Sequence, residues 1–156
     1  MGDDAKRTYL VVVDDSAESR VALRFAARRA AKTDGRVEVL GIVEPQDFVQ
    51  FGGVQNAIEE EQRLRIEGVV SAAVGEILDE SGVEASVVVR QGEPVRAVRE
   101  YIGDREEVHA LVLGAAPNGH PGPLVTHFTD GDAGQLPCPV MIIPGSLSDE
   151  RLEQLS

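Results

Sequence analysis

The feature that most restricts the fold is an alternation between short runs of β-branched residues and longer segments with helical periodicity. Five apolar runs have the length of strands, and the stretches between them are long enough for helices. Strands that alternate with helices predict βαβ units and a mostly parallel sheet, so we predict an α/β protein. The runs cover residues 9–13, 37–43, 83–90, 110–113 and 140–143.

The first run is continuously apolar, which is typical of a strand covered on both faces of a parallel sheet. We therefore predict that it is a central strand. Asp15 with Glu18, or Ser16 alone, is predicted to cap the helix that follows. A second, long helix is predicted from about residue 56 to 81. A weak one is expected within 115–136, where glycine and proline are frequent.

Size and cysteine content point to one domain in a reducing compartment. The chain has 156 residues, 42% of them hydrophobic, and at this length a core needs no disulfide or structural metal. The single cysteine, Cys138, excludes an intrachain disulfide framework, and no metal site is predicted. We expect a cytoplasmic protein with a polar lead at 1–7, a domain at 8–145 and a polar tail at 146–156.

The charge excludes two classes of partner. The chain carries 27 acidic and 15 basic residues, which gives a formal net charge of −12. This is the wrong sign for neutralising the phosphates of nucleic acid or an anionic membrane surface. The apolar run at 9–13 is also too short for a signal peptide or a membrane span. We therefore predict neither nucleic-acid nor membrane binding.

The ends of the predicted strands are where a ligand is expected, because open parallel sheets bind ligands beyond the carboxyl ends of their strands. Asp14 follows the first strand, Ile42 lies at the end of the second, and Gly114 ends the fourth. The motifs are Val-Val-Asp-Asp-Ser at 12–16, Val-Leu-Gly-Ile-Val-Glu-Pro at 39–45, Gly-Glu-Pro at 92–94, Leu-Val-Leu-Gly at 111–114 and Pro-Cys-Pro-Val at 137–140. In their order and spacing, they resemble the universal stress protein family over about residues 8 to 144.

The resemblance implies a Rossmann-like fold of the adenine nucleotide alpha hydrolase-like type. This is a three-layer, doubly wound, five-stranded parallel sheet in the order 3-2-1-4-5. It also implies a homodimer paired through the fifth strands, and in one branch of the family an ATP site. In that branch, the residue matching Asp14 approaches the adenosine and the backbone at Ile42 meets the adenine. A glycine-rich segment after the fourth strand holds the phosphates.

This chain keeps only part of that phosphate-binding segment. Gly114 matches the first glycine, but Pro117 stands at the second, and Thr126-His127 stands where Gly-Ser is usual. Proline has no N–H to offer a phosphate. A shifted nest that includes Gly119 and Gly122 is one alternative, in which Thr126 or His127 supplies the missing donors. The cofactor stays open, with ATP as the candidate.

Two functions from this family are therefore in contest. One is a homodimeric regulatory protein with a degenerate nucleotide site. The other is an ATP-binding switch that uses Asp14, Ile42 and the loop after Gly114. In both, an apolar fifth strand at the sheet edge would pair with a second copy, because an unpaired edge promotes aggregation. The edge residues are Val140, Met141, Ile142 and Ile143.

A receiver-like signalling domain is a third alternative, because Asp14 and Asp15 resemble the acidic pair that holds magnesium there. However, residues 88–91 contain no aspartate to accept a phosphoryl group, and no lysine follows the fifth strand. The sequence also has no Gly-x-Ser-x-Gly elbow and no Walker lysine loop. We disfavour a receiver and predict no catalytic residues, allowing at most weak nucleotide hydrolysis.

Overall fold

A computed structural model describes residues 6–45 and 52–156, and its sheet has the predicted architecture. The strands are β1 (Thr8–Val12), β2 (Arg36–Val43), β3 (Ala85–Gln91), β4 (Val108–Ala115) and β5 (Val140–Pro144). All neighbours pair in parallel, in the order β3-β2-β1-β4-β5. The predicted α/β class, doubly wound parallel sheet and strand order are confirmed.

Helices cover both faces of the sheet and make the fold three layers deep. They are α1 (Ala17–Lys32), α2 (Gly52–Ser81), α3 (Pro94–Gly103), α4 (Pro123–Phe128) and α5 (Asp149–Leu155). Buried residues of α1, α2 and α5 share one core with one face of the sheet. Those of α3 and α4 share a second core with the other face. None of the helices within the described residues is long and apolar enough to cross a membrane.

The central position of β1 follows from its unbroken apolar sequence. Leu10 packs with α3 and α4, whereas Val11 packs with α1 and α2, and both side chains are completely buried. A strand with a polar face would leave polar groups unpaired against one of the two helix layers. The prediction of a strand covered on both faces is confirmed.

Helix α2 extends beyond the sheet. It has 30 residues and a length of about 45 Å, whereas the eight residues of β2 span about 26 Å. Val70 is its first fully buried residue among those whose side chains are described, and residues 56–65 are partly or fully exposed. The amino-terminal half of α2 therefore projects past the carboxyl ends of the strands.

The last residues, predicted as a polar tail, form the short helix α5. The Ser148 hydroxyl caps it by accepting a hydrogen bond from the Arg151 N–H, at 3.2 Å. Glu153 forms ion pairs with Arg28 and Lys32 of α1. Leu152 is completely buried and belongs to the core under α1. Most residues of α5 are polar and face outward, but the buried side chain of Leu152 is enough to anchor the helix.

We expect Leu152→Ala to lower the free energy of unfolding by about 2 kcal/mol, because it removes a buried side chain and leaves a cavity. Leu155 lies on the same helix and is 44% exposed, so Leu155→Ala is the matched control. Urea unfolding followed by circular dichroism measures both. Equal losses in the two variants would show that α5 is not anchored through Leu152.

Candidate functional site

A cleft of about 420 Å³ lies at the carboxyl ends of β1, β2 and β4. This volume falls in the range of small-molecule sites, roughly 300–1,000 Å³. The loop from β1 to α1 forms one wall, the start of α4 forms another, and the projecting half of α2 contributes a third. The cleft is thus at the position where an open parallel sheet is expected to bind ligands.

Asp14 is held in place by the turn that starts α1. Its Oδ1 accepts a hydrogen bond from the Ser16 N–H at 2.8 Å. Its backbone carbonyl accepts one from the Ser19 hydroxyl at 3.1 Å. Ser16 caps α1 by accepting from the Ser19 N–H, which confirms one of the two predicted caps. These hydrogen bonds fix the backbone at Asp14, whose exposed carboxylate lines the cleft.

The charge of the cleft is mainly negative. Among the described residues that line it, four are carboxylates and one is a guanidinium. The carboxylates belong to Asp14, Asp15, Glu18 and Glu44. The guanidinium, from Arg65 of α2, already pairs with Asp15 at 2.8 Å across the cleft mouth. An entering polyanion would meet repulsion with little compensating positive charge.

Apolar side chains form the floor of the cleft. Ile42 and Val43 reach it from the end of β2, and Val12 and Leu113 reach it from β1 and β4. Leu124 and Val125 close it from α4. An apolar floor with an exposed carboxylate beside it suits a flat ring that carries hydrogen-bond donors.

Gly114 lines the cleft, and the structure gives a packing reason for a glycine at this position. A Cβ there would lie 2.2 Å from the carbonyl oxygen of Glu18 and 2.5 Å from its carbonyl carbon. Gly145 is similarly crowded, since its Cβ would lie 2.8 Å from the Glu18 Cβ. The first turn of α1 therefore packs directly on the backbone at the ends of β4 and β5.

The loop after β4 uses its own amide groups. The Ala116 N–H donates to the Pro121 carbonyl at 3.1 Å. The Gly122 N–H donates to Nδ1 of His120, also at 3.1 Å. Pro117, Pro121 and Pro123 have no N–H. Two of the five amides in residues 116–122 are therefore engaged within the loop, and the other three, at residues 118–120, do not belong to the cleft lining.

Three of the seven predicted ligand residues lie outside the cleft. Gly119 is exposed at the tip of the loop, where its φ of +73° favours glycine. Thr126 and His127 line a separate surface cavity beside Asp130 and Asp132. The Thr126 hydroxyl donates to the Gly122 carbonyl at 3.1 Å, and Nε2 of His127 lies 2.7 Å from Oδ2 of Asp132.

The start of α4 explains this separation. Gly122, with a φ of +123°, is the residue before the helix, and α4 begins at Pro123. This start directs Leu124 and Val125 toward the cleft and places Thr126 and His127 on the other side of the helix. The structure thus brings together Asp14, Ile42, Gly114 and Gly122, but not the remaining three.

The sequence reasoning missed the residues that α2 and α1 contribute to the cleft, namely Gln62, Arg65, Ile66, Val69, Glu18 and Ser19. The four from α2 recur at spacings of three and four residues, so they share one side of the helix. That periodicity was visible in the sequence. A long helix was also predicted there, but not that it would carry these residues past the sheet to the cleft.

Other titratable groups near the sheet have structural roles. Burial raises the pKa of the Cys138 thiol, so it is a poor nucleophile. The N–H groups of Arg96 and Val95 lower the pKa of Glu93, which caps α3. No cluster of three or more histidine, cysteine or acidic side chains placed to hold a metal occurs in 6–45 or 52–156.

Among the described residues, β5 lies at the edge of the sheet and pairs only with β4. Val140, Met141 and Ile142 are partly exposed, whereas Ile143 is buried. The opposite edge is β3, where Val87 is 40% exposed. The predicted dimer strand is therefore an edge strand with apolar side chains at its surface.

Comparison with known proteins places this architecture among characterised folds. The model of the universal stress protein family matches residues 6–144. No curated protein sequence matches the chain. Among solved structures, the universal stress protein UspA from Lactobacillus plantarum is 17% identical with a TM-score of 0.75, over 88% of this chain and 97% of that one.

Two similar structures contain nucleotides. A universal stress protein from Archaeoglobus fulgidus in complex with dAMP is 22% identical, with a TM-score of 0.60 over 88% of this chain and 97% of that one. A universal stress protein in complex with cAMP is 19% identical, with a TM-score of 0.59 over 92% of this chain and 100% of that one. At these identities, the likeness shows a shared fold.

Proposed function

Because the chain belongs to the universal stress protein family, we propose that it is a regulatory protein that acts as a homodimer and carries a degenerate nucleotide site. In this proposal, the cleft accepts the nucleoside part of an adenine nucleotide but does not hold a triphosphate tail. Two structures of similar fold hold cAMP and dAMP, each of which has a single phosphate. The single cysteine further supports a cytoplasmic location.

The loop after β4 carries the proposal. A triphosphate tail needs several converging N–H donors, and glycine-rich loops normally supply them. In this loop, the amides of Ala116 and Gly122 are occupied, and the prolines at 117, 121 and 123 have none. The amides of residues 118–120 do not line the cleft, so a phosphate tail in the cleft would have to break these internal hydrogen bonds to gain N–H donors from this loop.

The charge of the cleft supports the same conclusion. The phosphates of ATP carry several negative charges, and the carboxylates of Asp14, Glu18 and Glu44 lie in the same walls. The Arg65 guanidinium is the one cation among the described lining residues, and Asp15 already neutralises it. Like charges at short range disfavour binding, so an uncharged nucleoside is the better fit.

The nucleoside itself fits the remaining features. The Asp14 carboxylate can accept hydrogen bonds from ribose hydroxyls or from the adenine amino group. Ile42 and Val43 offer apolar surface to the base. Among the described residues that line the cleft there is a recognition group but no nucleophile with an adjacent general base, so we propose binding without catalysis.

Adenosine titration tests the assignment of the cleft. We expect Asp14→Ala to weaken adenosine binding about tenfold, the effect of one hydrogen bond to a charged group. Asp79→Ala is the control, because Asp79 is exposed near the end of α2 and does not line the cleft. Isothermal titration calorimetry measures both. If wild type binds adenosine and Asp14→Ala binds it equally well, the nucleoside does not occupy this cleft.

The dimer is proposed to form through β5. Antiparallel pairing of two β5 strands around a twofold axis would satisfy the open backbone groups of this edge and cover its apolar side chains. We expect light scattering to give twice the mass of one chain at micromolar concentration. Met141→Lys, at a partly exposed edge position, should shift the protein to monomer.

The opposite edge provides the control for this experiment. Val87 is exposed on β3, so Val87→Lys places the same charge on the other edge strand. This variant should remain a dimer. A monomeric wild type, or a dimer lost only in Val87→Lys, would exclude pairing through β5.

A further inference from the structure

A buried glutamate and a half-buried serine whose hydroxyl oxygen is itself buried lie under α3, toward the amino ends of the strands and away from the cleft. Glu38 on β2 is 2% exposed, although Val37 and Val39 beside it on the strand and its partner Leu10 on β1 are apolar. Ser86 on β3 is its direct partner in the strand register. Partners in a parallel register point to the same face, so both side chains face the layer of α3.

One oxygen of the Glu38 carboxylate has protein partners. Its Oε1 accepts a hydrogen bond from the Tyr101 hydroxyl of α3. The Arg105 guanidinium lies 3.4 Å from the same oxygen and stacks over the Tyr101 ring, 4.5 Å from its centre. Burial and the adjacent carboxylate raise the pKa of Tyr101, so the phenol stays protonated and acts as the donor. The Glu38 carboxylate thus lies between a phenol donor and the Arg105 guanidinium.

The second oxygen has no such partner. Oε2 of Glu38 is buried without a hydrogen bond to any group in the described part of the chain. The hydroxyl oxygen of Ser86 is in the same condition. A buried polar oxygen without a hydrogen-bond partner is rare and unfavourable in folded proteins. Here two such oxygens belong to residues that are register partners on β2 and β3.

We propose that one internal water molecule bridges Oε2 of Glu38 and Oγ of Ser86. In this site the Ser86 hydroxyl donates to the water, and the water donates to the carboxylate. Both oxygens then have a partner, and the water has two, the lower limit for an internal water. The bridge connects the edge strand β3 to the Glu38, Tyr101 and Arg105 cluster that fixes the end of α3.

A metal cation fits the site less well. The Arg105 guanidinium lies 3.4 Å from the same carboxylate, so it would repel a second cation at Oε2. A direct hydrogen bond between Ser86 and Glu38 is absent, which leaves the two oxygens for a bridging group. These contacts therefore favour a neutral molecule, such as water, that can both donate and accept hydrogen bonds.

A crystal structure at about 1.5 Å resolution tests the proposal. We expect a density peak within hydrogen-bond distance of both Oε2 of Glu38 and Oγ of Ser86. The peak should be lost in Ser86→Ala and retained in Ser81→Ala, because the Ser81 hydroxyl already donates to the Ile77 carbonyl at 2.7 Å. Water magnetic relaxation dispersion in solution should show one long-lived water fewer in Ser86→Ala than in wild type.

Three outcomes would overturn the proposal. The first is a direct Ser86 to Glu38 hydrogen bond without a peak between them. The second is an anomalous signal at the peak after growth in rubidium, which would identify a cation. The third is an equal number of long-lived waters in wild type and Ser86→Ala. None of these readouts depends on ligand binding in the cleft.

Discussion

Replacing Gly114 with alanine is expected to lower the free energy of unfolding by about 3 kcal/mol or more, the upper range for overpacking a close-packed interior. The new Cβ would lie 2.2 Å from a backbone oxygen of α1. Neither partner can rotate away, because one is the end of β4 and the other is the capped first turn of α1. Relief requires α1 to move off the sheet.

Gly131→Ala separates this clash from a general effect of replacing glycine. Nothing lies within 4 Å of a Cβ at Gly131, and its backbone φ is not positive. Guanidinium unfolding of both variants should show a change of less than about 0.5 kcal/mol for Gly131→Ala. A similarly small change for Gly114→Ala would mean that α1 does not pack against β4 as closely as described.

Phe128→Ala is expected to cost about 3–5 kcal/mol, as is usual for removing a buried aromatic side chain. Phe128 is 1% exposed and lies in the core formed with α3. Helix α4 has only six residues, begins with proline and has no side-chain cap at its start. An isolated helix of this length is unstable in water, so its position depends on this anchor.

Loss of the anchor should also open the cleft, because Leu124 and Val125 of α4 form one of its walls. Urea unfolding measures the stability, and amide hydrogen exchange measures the local opening of residues 123–128. Thr126→Ala is the control on the same helix, since Thr126 is exposed. Unchanged exchange in Phe128→Ala would contradict tertiary anchoring of α4.

The fold was predictable because its determinants are local and repeated. A continuous apolar strand such as β1 can be stable only between two helix layers, and the order of strands and helices then leaves few topologies. The helix at 149–155 was not predictable from the same reasoning. Its stability comes from one buried side chain, Leu152, and from ion pairs with α1 that only the folded chain brings together.

The candidate site was predictable only where it depends on strand ends. Asp14 lies just after β1 and Ile42 lies at the carboxyl end of β2, and both line the cleft. Thr126 and His127 do not, because their direction depends on where α4 begins and how it is rotated. Gly114 was identified from its place in a motif. The reason that a larger residue would not fit there is the close contact with the backbone of Glu18, which no local sequence pattern shows.

The affinity of the cleft for ATP relative to adenosine tests the central claim most directly. That claim is that the segment after β4 offers the cleft too few free amides for a triphosphate tail. Calorimetric titrations of both ligands at equal ionic strength, with and without magnesium, give the ratio of dissociation constants. We expect ATP to bind no more tightly than adenosine. Binding of ATP at least tenfold tighter, equivalent to about 1.4 kcal/mol, would contradict the claim and favour an ATP-binding switch.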